Sequence, residues 1–195
     1  ADFRRGTGAP NAPAHVGPIV INELMVDPAP SDMEYVELHN RTDAPVDLSD
    51  TDGFGRWRLQ DGITLTLPAG LVLPAGGFAL VVGGDPDRFR QLHAVPPDVA
   101  VLGPFDGKLG NDGDTVVLAR VADDDTWRAE DRVRYRTRLP WPVAPARAGT
   151  AIERLAPDGY GNEPHNWAAR RVGGTPGRPN TRLTWAFLPW VRAGE

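Results

Sequence analysis

Few side chains in this 195-residue chain have the types and spacing that enzymatic chemistry requires. The two serines, Ser31 and Ser49, each precede an Asp in turn-like sequence, which indicates hydroxyls that favour turns rather than nucleophiles. The absence of Cys excludes disulfides, thiolate zinc sites and cysteine nucleophiles. No metal-ligand spacing such as HxxxH relates the four histidines, which are His15, His39, His93 and His165. We therefore predict that the chain is not an enzyme and needs no organic cofactor.

Three glutamates near the start of the chain lie in or beside apolar runs. Glu34 and Glu37 are three residues apart in a predicted strand, so they point to opposite faces and cannot form a facing acid–base pair. Glu23 interrupts the run IVINELMV, where we expect it to be partly buried. Its expected role is to accept hydrogen bonds from the backbone or from an arginine.

Calcium is the one metal that the acidic residues suggest. Asp50 and Asp52 alternate before Gly53, and Asp123, Asp124 and Asp125 form a second acidic cluster. Calcium takes six to eight oxygen ligands, however, and no twelve-residue EF-hand loop is present. Two interpretations therefore stay open: a calcium site at Asp50 and Asp52, or exposed acids in turns.

A row of arginines occupies RVRYRTRL (132–139). Alternate residues of a strand share a face and lie about 6.6–6.8 Å apart. One face would then carry four cations, Arg132, Arg134, Arg136 and Arg138. Like charges in a row repel unless something neutralises them. The neutralising groups are either Asp or Glu on a neighbouring strand, or an acidic partner such as another subunit, an anionic glycan or DNA.

The last fifteen residues, TRLTWAFLPWVRAGE (181–195), are apolar and aromatic. Large apolar side chains left in water favour aggregation, so this segment is expected to pack against a protein surface. The surface is either the chain's own domain or another subunit, to which the tail would add a strand. The candidate assembly residues are Leu183, Trp185, Phe187, Leu188, Trp190 and Val191.

Short runs rich in branched and aromatic residues predict β-strands, and turn signals separate them. Five Asp-Gly pairs, at 52–53, 61–62, 106–107, 112–113 and 158–159, favour tight turns. The predicted strands cover 19–26, 34–40, 57–60, 64–67, 77–84, 115–121, 132–139 and 150–155. This pattern is typical of an all-β sandwich or barrel.

One short helix is predicted in DPDRFRQLH (85–93). Asp85 can cap its first turn, where Pro86 also fits. Phe89 and Leu92, three residues apart, are expected to share one face of the helix.

The order of motifs resembles that of lamin tail domains of the bacterial, secreted type. The similar segments run from INELMVDP and EYVELHN through WRLQDG, LPAGGFALVV and GNDGDTVVLAR to GGTPGRPN, over residues 19–180. The resemblance implies an immunoglobulin-like β-sandwich that binds, anchors or scaffolds, and a secreted or envelope location in bacteria. Two departures are the residues inserted before Trp57 in SDTDGFGRW (49–57) and the fifteen residues that follow the last motif.

Composition completes the expectation. The formal net charge is −5, so bulk electrostatics do not favour nucleic acid, and no apolar run approaches the length needed to span a bilayer. We expect an N-terminal arm (1–18), a sandwich domain (19–180) and an apolar extension (181–195). The predicted function is a secreted or cell-surface structural subunit that self-assembles through its arms into a fibre or surface layer. The alternative is a binding or anchoring module for an anionic glycan, DNA or an envelope partner.

Overall fold

Strand formation dominates the computed structural model, which describes residues 16–28, 33–49, 57–122, 125–142 and 149–181. The strands in chain order are β1 (Ile19–Met25), β2 (Tyr35–Asn40), β3 (Val46–Asp47), β4 (Trp57–Asp61), β5 (Ile63–Thr66), β6 (Val72–Leu73), β7 (Phe78–Val82), β8 (Ala100–Leu102), β9 (Asp106–Gly107), β10 (Gly113–Val121), β11 (Trp127–Arg136), β12 (Thr150–Arg154) and β13 (Trp167–Val172). The helix α1 spans Pro86–His93, between β7 and β8. A short 3-10 turn, Pro164–Asn166, precedes β13.

The strands form two main sheets that pack face to face. One has six strands in the order β13-β12-β1-β2-β7-β8, and the other has five in the order β11-β10-β4-β5-β9. A separate two-stranded ribbon pairs β3 with β6. All the pairs are antiparallel except β7 with β8, which α1 connects in parallel. The prediction of an all-β, immunoglobulin-like sandwich with one short helix is confirmed.

The core lies between the two sheets and follows the alternation of side chains along each strand. Val36 and Leu38 of β2 face Val116 and Leu118 of β10 in one apolar cluster. Trp141 and Trp167 close this cluster, with ring centroids 6.2 Å apart. The residues between these positions therefore point away from the core, onto the outer faces of the sandwich.

A second apolar cluster covers part of the outer face of the six-stranded sheet. Phe89 of α1 is fully buried there against Tyr35, with ring centroids 5.3 Å apart. Asp85 caps the helix as predicted, accepting a hydrogen bond from the Arg88 N–H. Leu92, three residues after Phe89, has a side chain that is 57% exposed. His93, one turn after Phe89, stacks on the Phe89 ring at 4.3 Å.

Of two turns predicted from Asp-Gly pairs, one is present as a hairpin and the other is part of a strand. Asp61 has a φ of 76° and, with Gly62, connects β4 to β5 in a tight turn. The Asp-Gly pair at 106–107, predicted to be a turn, instead forms β9 and pairs with β5. Along the described part of the chain, no helix is long and apolar enough to cross a membrane.

Candidate binding face

The arginine row belongs to β11, an edge strand of the five-stranded sheet. Val133 and Tyr135 point into the core, and the Tyr135 hydroxyl donates to the Gly110 carbonyl at 2.9 Å. Burial raises the pKa of the Tyr135 hydroxyl well above its ordinary value. The intervening residues lie on the outer face, where Arg132 and Arg134 are exposed and Arg136 is half-buried. The predicted alternation is therefore present over β11, and Arg138 follows in the exposed turn after it.

The neighbouring strand does not neutralise this row. Opposite Arg132, Arg134 and Arg136, β10 places Val117, Thr115 and Gly113. Beyond Val117 the next strand, β4, places Gln60. Neither strand offers a carboxylate at these positions, and within the described ranges no ion pair involves the four arginines of the row. The expectation of acids on a neighbouring strand is thus wrong, because the register pairs the arginines with apolar and neutral residues.

A fifth arginine extends the positive surface across the sheet. Arg58 of β4 lies on the same outer face, and its guanidinium stacks over the exposed Trp127 ring, 3.8 Å from the ring centroid. Its Nε donates to Gln60 Oε1 at 2.7 Å, which fixes the guanidinium position. We call the surface formed by Arg58, Arg132, Arg134, Arg136 and Arg138 the arginine face. Sequence reasoning missed Arg58, because only the pairing of β4 with β10 brings it to this surface.

An open cleft of about 360 Å³ lies at the end of the arginine face. It is lined by Arg134, Arg136, Arg138, Leu139, Pro140, Trp141 and Asn162. Asn162 accepts a hydrogen bond from the Arg134 N–H at 2.9 Å, so the loop after β12 fixes the edge of β11. Leu139 is 82% exposed beside the arginines. The cleft combines three guanidinium groups with an apolar wall and one amide.

A buried ion pair connects β11 to the other sheet. Asp131 points inward, and its Oδ2 accepts hydrogen bonds from Arg154 Nη1 at 2.5 Å and from the Ile21 N–H at 2.9 Å. Burial raises the pKa of the Asp131 carboxyl, although the Arg154 guanidinium opposes that rise. Arg154 also donates to the carbonyls of Ile21 and Gly159. The pair therefore holds an edge strand, and with it the arginine face, against β1 and β12.

Three glutamates cluster under the outer surface of the six-stranded sheet, an arrangement that sequence reasoning missed. Glu23 pairs in register with Glu37 on one side and with Glu153 on the other, and all three are fully buried. The segment 173–181, which we call the closing segment, covers them. Its N–H groups donate to the three carboxylates, from Thr175 to Glu23, from Gly177 to Glu37 and from Thr181 to Glu153.

The protonation of this cluster follows from its burial. Burial raises the pKa of Glu23 from 4.5 to about 7, against the hydrogen bonds donated by the Tyr35 hydroxyl and Thr175. Burial also raises the pKa of Glu37 well above its ordinary value, and the neighbouring Glu23 adds to that rise. Gly174, with a φ of 69°, lets the closing segment approach, because a Cβ there would lie 2.0 Å from both Glu23 Oε1 and the Tyr35 hydroxyl. Glu23 was expected to be only partly buried, and instead it is fully buried with backbone and hydroxyl partners.

The other polar residues that the sequence analysis considered lie far apart in the chain and have different partners. Glu34 lies just before β2 and accepts from the Leu109 N–H at 2.9 Å, away from Glu37 as expected. Ser49 donates to Asp47 within a turn. His165 is exposed and pairs with Glu163, at 2.8 Å. In the ranges that the structure describes, no group of three His, Asp or Glu residues could hold a metal ion.

Several of the residues singled out from the sequence lie outside the described residues, among them Ser31, Asp123, Asp124 and positions 1–15 of the N-terminal arm. The calcium candidates Asp50 and Asp52 fall in 50–56, and the assembly candidates fall in 182–195. Both stay predictions. For calcium, an unchanged melting temperature on adding the ion or a chelator would exclude binding.

The fold and the placement of its charged residues define a class of protein. It is an immunoglobulin-like sandwich with a charged edge strand and a covered carboxylate cluster. The profile of the Lamin Tail Domain family matches residues 12–136, which is more than half of the chain. This chain belongs to the lamin tail domain family. The match ends at Arg136, while β12 and β13 extend the six-stranded sheet beyond it. No curated protein sequence matches the chain.

Proposed function

We propose that this chain is a non-catalytic binding module that holds an anionic glycan on its arginine face. The observation that carries the proposal is the row on β11, whose register partners in β10 include no acid. Cations in such a row repel one another, and an acidic partner would relieve that repulsion. Arginine suits this role because its planar fork matches carboxylate and sulfate groups with paired hydrogen bonds.

The walls of the adjoining cleft favour a glycan over DNA. Leu139 and Pro140 offer an apolar surface, and Asn162 offers an amide, beside three guanidinium groups. A sugar ring has an apolar face and hydroxyl groups at its edge, so it complements both kinds of surface. The overall charge of −5 opposes long DNA, whereas a local positive face attracts a short or dispersed anionic chain.

Binding of heparin, used as a sulfated glycan probe, tests the proposal. We expect Arg134→Gln/Arg136→Gln to lower the affinity at least about tenfold, because the loss of even one charge-assisted hydrogen bond costs about 1.5–3 kcal/mol. The matched control is Lys108→Gln/Arg171→Gln, which removes the same charge from exposed positions elsewhere. Wild-type binding is expected to weaken with salt, and the arginine variant to show less salt dependence.

Three outcomes would overturn this assignment. Equal affinity of wild type and arginine variant would mean that the row is not the contact. An equal loss in the control would mean that only net charge matters. Tighter binding of an oligothymidylate of matched charge, lost in the same variant, would make the partner nucleic acid.

We propose a second function, self-assembly into a fibre or surface layer, with the tail residues 183–191 docking on another copy. One observation supports it: β13 is an edge strand of the six-stranded sheet, and its last residue, Val172, is 75% exposed. A free edge can accept an added strand. Light scattering on the purified chain and on a variant lacking 181–195 tests it. Large species that persist after the deletion would exclude the tail, and a monomeric intact chain would exclude self-assembly.

We also propose an extracellular or cell-surface location of the bacterial secreted type. The support is the order of motifs that the chain shares with such domains, from INELMVDP to GGTPGRPN. Fractionation of the producing cells, with immunodetection of the chain, tests it. Recovery in the cytosolic fraction alone would contradict this location.

A further inference from the structure

A second cleft, of about 660 Å³, opens on the outer side of the six-stranded sheet beside the closing segment. Its lining includes Asn22, His39, Phe78, Arg170, Asn180 and Thr181. The volume falls within the range of small-molecule sites. The cleft shares no lining residue with the cleft of the arginine face, so it does not depend on the function proposed above.

One wall of this cleft is a pair of stacked rings. His39 of β2 and Phe78 of β7 are register partners, and their rings stack at 4.6 Å with an interplanar angle of 21°. Both side chains are half-buried and line the cleft, so each ring is accessible from it on the sides that the other ring does not cover. The Gly77 carbonyl lies 3.2 Å from His39 Nδ1, and because a carbonyl only accepts, Nδ1 carries the proton. Burial lowers the pKa of His39, which leaves Nε2 as a hydrogen-bond acceptor at neutral pH.

The opposite side offers a cation and a second acceptor. Arg170 of β13 donates through Nη1 to the Thr181 carbonyl and forms no ion pair with any described residue. Asn22 donates through Nδ2 to Glu37 at 2.8 Å and to Asn180 at 3.0 Å. No donor from the described ranges reaches the Asn22 side-chain oxygen. Asn180 in turn donates to the carbonyls of Asn22 and Arg154, so the closing segment holds this wall in place.

We propose that this cleft binds a uronic acid unit of an acidic saccharide. Arg170 would hold the sugar carboxylate, as its planar fork suits a carboxylate group. The stacked rings of His39 and Phe78 would cover the apolar face of the sugar ring. His39 Nε2 and the Asn22 oxygen would accept hydrogen bonds from sugar hydroxyls. Arg154 also lines the cleft but pairs with Asp131, so Arg170 is the arginine that is left to bind an anion. This cation, the two acceptors and the ring pair together favour a uronic acid over a neutral sugar or an inorganic anion.

Calorimetric titration of the full chain with trigalacturonate tests the proposal. We expect saturable binding by wild type, about tenfold weaker binding by Arg170→Gln, and a similar loss in Phe78→Leu, which keeps an apolar side chain but removes the ring. Arg171→Gln is the matched control, because the next residue of β13 is exposed and does not line the cleft. Circular dichroism of each variant checks that the fold is retained.

An esterified ligand and a variant of the arginine face separate the remaining explanations of the titration. The trimethyl ester of trigalacturonate is expected to bind at least tenfold more weakly, and equal binding of the ester would overturn the role of Arg170. Equal losses in Arg170→Gln and Arg171→Gln, or no saturable binding by wild type, would overturn the site. The Arg134→Gln/Arg136→Gln variant is expected to bind trigalacturonate as wild type does. This variant therefore separates failure of this site from failure of the arginine face.

Discussion

The two outer faces of the sandwich both place like charges on neighbouring positions, and they accommodate them in opposite ways. On the five-stranded sheet, guanidinium groups follow one another along β11 and reach solvent. On the six-stranded sheet, Glu23, Glu37 and Glu153 lie side by side across three strands and are fully buried. The difference lies in what covers each face. The closing segment lies over the glutamates, whereas no described segment supplies an acid to the arginines.

Burial converts the glutamates into structural acceptors. Each carboxylate accepts an N–H from the closing segment, and burial raises the pKa of Glu23 and of Glu37, which favours their protonated forms over adjacent negative charges. Arginines have no such option, because a guanidinium group does not lose its proton in proteins. A row of arginines without acids therefore stays charged and available to a partner. This contrast explains why we assign binding to one face and a structural role to the carboxylates of the other.

The largest effect on stability is expected from removing the buried ion pair that connects the two sheets. Asp131 precedes Arg132 on β11 and Arg154 follows Glu153 on β12, so both point inward and form the buried pair. Asp131→Ala is expected to lower the free energy of unfolding by about 3–5 kcal/mol, because it leaves a buried guanidinium without its carboxylate. Urea denaturation measures this loss.

The control for that experiment is an ion pair on the surface. Asp158, 80% exposed, pairs with Arg41, and Asp158→Ala is expected to cost about 0–1 kcal/mol. If both variants lose the same small amount, the inward pair does not hold the arginine face in place, and the two faces are stabilised independently.

Sequence pattern was sufficient for one face and insufficient for the other. The alternation in RVRYRTRL predicts the arginine row, because the period of a strand alone decides which residues share a side. Arg58 joins that face only through the pairing of β4 with β10, which a single strand pattern does not specify. The edge strand β13 and the short β9 were missed for a related reason: they pair with other strands without a long apolar run of their own.

For the carboxylate cluster, the sequence contained a pattern that predicts buried glutamates. Glu interrupts three separate apolar runs, INELM, YVEL and TAIER, and an isolated acid within a buried strand requires partners. The pattern does not tell which strands are neighbours, so it predicts burial but not the cluster. The closing motif GGTPGRPN is also visible, but its contact with three strands distant in sequence depends on the topology.

The second prediction tests the covered face through pH. Glu23 has a pKa of about 7 in the folded chain against 4.5 when unfolded, so the folded state binds more protons between these values. The free energy of unfolding therefore falls as pH rises from about 4.5 through 7, and the contribution from Glu23 is complete below 4.5. Glu37, Glu34 and Asp131 act in the same direction.

Histidines oppose this trend, so a difference measurement is needed. Burial lowers the pKa of His39 and of His93, which destabilises the fold as pH falls through their range. We expect the difference in free energy of unfolding, wild type minus Glu23→Gln, to fall by an amount on the order of 1–3 kcal/mol between pH 4.5 and 8. The variant lacks the titration of Glu23 and also its charge beside Glu37, which would otherwise add to the pKa rise of Glu37. A difference that stays constant with pH would mean that Glu23 is ionised throughout.

The smallest effect on stability is expected from substitutions in the exposed arginine face. Arg134→Gln/Arg136→Gln is expected to change the free energy of unfolding by no more than about 0.5 kcal/mol, because neither arginine has an acidic partner among the described residues. At low ionic strength the variant should be slightly more stable than wild type, since repulsion along the row is reduced. Added salt should remove this advantage, because it screens the same repulsion in wild type. If the variant is instead less stable than wild type by more than about 1 kcal/mol at both low and high salt, the row is neutralised by groups within the chain. It would then contribute to folding as the buried carboxylates do.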